Sequence, residues 1–140
     1  MLIGSLDNMK STLDSYFAVN AMALQAKNKR LELISENIAN VSTPGYKARD
    51  LDFGAFMKDA ASRASATSAT NSRHIEAGSN GNNFENAITY HMPLSPSLDN
   101  NTVEIGVEQA KFGKAAADYQ AAMGFLENRI SGIRKALRGE

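Results

Sequence analysis

The 140-residue chain contains no cysteine and no tryptophan. Without cysteine there is no disulfide framework and no thiolate chemistry, a composition that suits an oxidising compartment. Histidine is nearly as scarce. His74 and His91 are the only two, 17 positions apart, and neither has a further His or Cys ligand or a carboxylate at helical spacing beside it. No metal site is expected from such a pair. Charge of one sign is never in excess: 15 basic residues balance 15 acidic ones, and residues 1–57 hold six of each. That balance argues against a nucleic-acid partner. No apolar run approaches the roughly 20 residues that cross a bilayer, so direct membrane insertion is not expected. The first residues lack a basic stretch followed by an apolar core, so no cleaved secretory signal is expected either. There is no phosphate loop and no nucleophile elbow, and Asp50 and Asp52 read as solvated or ion-paired. The expectation is a non-enzyme, with no catalytic residue, no cofactor and no small-molecule substrate.

What the chain does have is one apolar rhythm at both ends. Near the start it runs Leu13, Phe17, Asn20, Leu24, Lys27, Leu31, Ile34, Ile38, Val41. Near the end it runs Ile105, Gln109, Phe112, Ala116, Tyr119, Met123, Leu126, Ile130, Ile133, Leu137. Steps of three and four keep such residues on one narrow stripe of a helix, as in a coiled-coil seam. The expected fold is mainly α. Long N- and C-terminal helices pair as a coiled-coil-like hairpin, and an irregular middle segment holds a small β-hairpin.

Four segments follow. Residues 1–43 form the first helix, starting near Ser5 or Asp7 and ending before Pro44, because the residue before a proline is pushed out of helical geometry. Residues 44–57 form a turn and an extended arm. Thr43-Pro44-Gly45-Tyr46 fits a type II turn, with Pro at its second position and Gly at its third. Tyr46, Phe53 and Phe56 are the arm's anchors onto a neighbouring subunit. Residues 58–100 are irregular. Up to Ser72 alanine is the only apolar residue type, too little to offset the entropy of ordering in isolation. A hairpin is expected over 73–92, around the turn-rich Gly78–Asn83. Residues 101–140 form the second helix, with Asn101 and Glu104 as a capping box.

Beside its seam the second helix carries Gly106, Ala110, Gly113, Ala117, Ala121 and Gly124, also spaced by threes and fours. An interior glycine costs a helix about 1 kcal/mol relative to alanine. The stripe therefore reads as a face that lets another helix approach closely. Two different faces in use predict an open polymer, whereas a coiled-coil adapter or other secretion-apparatus component that closes into a small oligomer needs only one seam. A membrane-surface helix would need a Lys/Arg-rich polar face that neither helix has.

The stretch Asn37-Ile38-Ala39-Asn40-Val41-Ser42-Thr43-Pro44-Gly45-Tyr46 resembles the signature of the bacterial flagellar basal-body rod proteins, Asn-Ile-Ala-Asn-x-x-Thr-Pro-Gly-Tyr. Its continuation through Phe53, the run Ser97–Glu104, and Tyr119–Ala122 with Phe125-Leu126 are similar to the proximal-rod (FlgB) family in particular. Val41-Ser42 stands where that family usually has Ala-Asp. The resemblance implies a structural subunit that assembles helically into a hollow drive shaft, transmits torque and forms part of the export-channel wall. It implies contacts with copies of itself, with other rod proteins, and with the membrane ring and adaptor or export-gate proteins at the rod base. It further implies a place in the basal body within the periplasmic space, reached by type III export.

Overall fold

The computed structural model describes residues 2–67 and 84–139. Helix α1 runs Leu2–Ala39, strand β1 Arg49–Leu51 and helix α2 Phe53–Thr67. A 3-10 turn at Glu85–Ala87 leads into strand β2, Ile88–Tyr90, and helix α3 runs Ile105–Arg138. At 1.5 Å per residue, α1 is about 57 Å long and α3 about 51 Å.

The two long helices lie antiparallel. Asn37 of α1 meets Glu108 of α3, and further from the junction Lys27 and Arg30 line a small cleft with Ala115 and Asp118. The middle segment sits against one end of this hairpin. Strands β1 and β2 pair antiparallel, Arg49 opposite Tyr90 and Leu51 opposite Ile88. Ala26 and Leu33 of α1, Leu51, Phe56 and Ala87 form the buried core, with Met22, Phe53, Met57, Phe84 and Ile88 packed around it. Phe56 stacks on Phe84 with ring centroids 4.9 Å apart.

The long terminal helices are those the apolar rhythm predicts, and a small two-stranded sheet is present in the middle of the chain as expected. Helix α1 begins at Leu2, ahead of Ser5 and Asp7, and three further details differ. First, the extended arm stops at Asp52, and residues 53–67 are helical. Asp52 Oδ1 accepts the Ala55 N–H at 2.9 Å, an N-cap bond, and the Asp52 carbonyl accepts the Phe56 N–H at 3.0 Å. Phe53, Phe56 and Met57 then share the face that meets the core, and the alanines beyond favour helix. Tyr46, Phe53 and Phe56 accordingly fold back onto their own chain. Phe56 is 3% exposed, and Lys27 Nζ sits 4.8 Å from the Phe53 ring centroid.

Second, the C-terminal arm of the expected hairpin at 73–92 forms β2, but its partner is β1, almost 40 residues upstream. Leu51 and Ala87 both reach the core through this pairing. The other arm, 73–77, and the turn at 78–83 lie outside the described residues. Third, α3 starts at Ile105 instead of Asn101. No capping box forms. Asn101 turns to the end of α1, Thr102 Oγ1 accepts the Ala48 N–H, and the Glu104 carboxylate is taken by His91, whose Nε2 lies 2.8 Å from Glu104 Oε2. At the far end Gly139 adopts φ 77° and closes α3 with a backbone bond to Ala136, a common helix stop.

Candidate assembly surface

The signature stretch is the joint of the molecule. Asn37 is 1% exposed and uses all of its amide. Its Nδ2 donates to the Arg49 carbonyl at 2.7 Å and to Glu108 Oε2 at 2.8 Å. Its Oδ1 accepts the Arg49 N–H at 2.9 Å and the Tyr46 hydroxyl at 3.3 Å. One side chain therefore stands in for a strand partner of Arg49 and ties it to both long helices.

Asn40 and Asn101 finish the end of α1. Asn40 Nδ2 donates to the Glu36 carbonyl, and its Oδ1 accepts the Thr43 hydroxyl. Asn101 Nδ2 faces the carbonyls of Asn40, Val41 and Thr43, each at 2.9 Å. They lie at and just past the helix end, where carbonyls run short of intrahelical donors, and the Asn40 and Thr43 carbonyls also accept the N–H groups of Thr43 and Tyr46. Gly45 has φ 72°, the value the third position of a type II turn requires, and Tyr46 N–H bonds the Thr43 carbonyl at 3.2 Å. Gly45 N–H and the Tyr46 carbonyl then bond Asp99 and Thr102, stitching the turn to the entry of α3.

A charged ladder continues along the α1–α3 groove. Arg30 grips Asp50 with two bonds, 2.8 and 3.0 Å, and Lys111 bonds Glu108 at 2.9 Å. Burial pushes the Asp50 carboxyl up, but hydrogen bonds from Arg30 and the Leu51 N–H, with the nearby Arg30 and Lys111 charges, hold it below the usual carboxylate range. The Arg30 guanidinium is raised, chiefly by its bond to Asp50. Glu108 is fully buried, with Asn37 and Lys111 on its two oxygens. Every buried side-chain polar atom among the described residues has a partner. The joint is thus closed chemically, and nothing in it is poised to react.

The outer surface is the opposite. Of the expected seam, only Ile34 is buried in the single chain. Phe17, Leu24, Leu31, Ile38, Tyr119, Leu126 and Ile133 are half-buried, and Leu13, Ile105, Phe112, Met123, Ile130 and Leu137 are exposed. On α3 the side turned to α1 is instead Glu108, Lys111, Ala115 and Asp118, about one residue's rotation away from the seam. The small-residue stripe is further round. Gly106, Ala110, Gly113, Ala117 and Ala121 are exposed, Gly124 half-buried, and a Cβ added at Gly106, Gly113 or Gly124 would meet nothing within 4 Å.

Sequence reasoning gave Asn101 to the start of α3 instead of the end of α1, expected Asp50 to be solvated or ion-paired without finding its partner Arg30, and missed Glu108 as the link to Asn37 and Asp52 as the N-cap of α2. Asp52 was findable, as an N-cap residue followed by Phe53, Phe56, Met57 and Ala60 at helical spacing. Glu108, Lys111, Ala115 and Asp118 also share one helical face. Asn101 carries no local signal, since the carbonyls it serves lie about 60 residues upstream.

The comparisons with known proteins point one way. The family model described as "Flagella basal body rod protein" matches residues 16–47, the second half of α1 and the signature turn. The chain is 43% identical over 122 residues to the flagellar basal body rod protein FlgB of Cereibacter sphaeroides, covering 87% of this chain and 93% of that one. It is 36% identical over 134 residues to the FlgB of Aeromonas hydrophila, covering 94% and 99%. To the FlgB of Escherichia coli K12 it is 34% identical over 143 aligned positions, covering 93% and 98%.

Proposed function

The chain belongs to the family of flagellar basal body rod proteins FlgB, and on that premise we propose how its surfaces build a rod. It is a structural subunit of the basal body and not an enzyme. In our reading it occupies the proximal rod, where α1 and α3 stand in the wall of a hollow helical tube. The tube carries torque along its length and lines the export path. Copies of the same chain and other rod proteins cover the helix faces left bare. The membrane ring and the adaptor or export-gate proteins meet the assembly at its base, in the periplasmic space, and the subunit arrives by type III export.

The observation that carries this reading is the ratio of exposed to buried apolar surface. The large hydrophobic side chains buried among the described residues are Leu33, Ile34, Leu51 and Phe56. Sixteen others are exposed, and most lie on the two long helices and the extended segment between β2 and α3. A large share of bare apolar side chains is what a subunit covered by neighbours presents. The exposed Gly/Ala stripe supports a second packing face, so that each subunit meets neighbours on two unlike sides.

Deletion of the gene followed by electron microscopy of purified basal bodies tests the reading. Rings without a rod, with motility restored by the intact chain, are expected. Normal rods in swimming cells would overturn it and turn attention to a closed oligomer.

A further inference from the structure

We draw no further inference here: the strongest candidate, the exposed apolar strip of Tyr90, Met92 and Leu94 on the extended segment that leaves β2, carries no proposal because nothing in the structure shows what covers it.

Discussion

Asn37 shows how much one residue carries. Its amide holds Arg49 by both backbone groups, Glu108 by one carboxylate oxygen and Tyr46 by its hydroxyl. Asn37→Ala strands buried partners, one of them charged, and should cost about 3 kcal/mol in chemical denaturation. Asn37→Asp should be worse at neutral pH, because a second carboxylate then faces Glu108. An Asn37→Asp chain as stable as the parent would show that the hub is not what ties the helices. Asp50 supplies the pH dependence. Its carboxyl titrates below its unfolded value of about 3.9. The stability it contributes is therefore complete above about pH 4 and is lost as pH falls through the lower folded value. Asp50→Asn should cost about 1–3 kcal/mol at pH 7, and the difference from the parent should shrink as the pH falls below the ordinary carboxylate range. Thermal melts across that range read the effect.

At the scale of elements, caps and special backbone positions decide where helices stop. Asp52→Ala removes the N-cap of α2 and should cost about 1 kcal/mol. Gly45→Ala forces a side chain onto a backbone at φ 72° and should cost about 1–2 kcal/mol even though the added carbon meets nothing. Gly113→Ala runs the other way. With nothing within 4 Å of the new methyl, the free chain should gain about 1 kcal/mol, read as a higher Tm, while Gly113→Leu should block incorporation into rods if a neighbouring helix presses on the stripe. The long helices and the Pro-Gly turn were legible in the sequence because their signals are local: a period of 3.6 residues, and a turn dipeptide. β2 was legible as a strand from Ile88 and Tyr90, but its partner was not. Pairing with Arg49–Leu51 is a long-range event, fixed by the anchoring of Arg49 to Asn37. The α3 start was misplaced for a similar reason, since Asn101 has the residue type of a cap yet caps the end of α1. The face of α3 that meets α1 was hidden because it is a charged ladder, and apolar periodicity points past it to the seam.

The whole molecule is a joint well made and a pair of long helices left half covered. Its polar joint is fully satisfied among the described residues, whereas its core holds few large side chains. Substitutions at the two kinds of site should therefore separate. Leu33→Ala empties the core and should cost about 2–5 kcal/mol in the free chain. Phe112→Ala and Ile130→Ala trim exposed seam residues and should change free-chain stability by no more than about 0.5 kcal/mol, while lowering the yield of assembled rods. Equal effects of all three on the free chain would mean that the seam is already engaged within one subunit.

The central claim is that the outer halves of α1 and α3 are covered only in the assembled rod, and amide hydrogen exchange tests it directly. In the free chain, amides of residues 4–20 and 123–137 should exchange rapidly, as few buried contacts hold those turns closed, while those around Leu33, Asn37 and Leu51 are protected. In purified basal bodies the same outer turns should become as protected as the joint. Outer turns that exchange equally fast in both states would contradict the account.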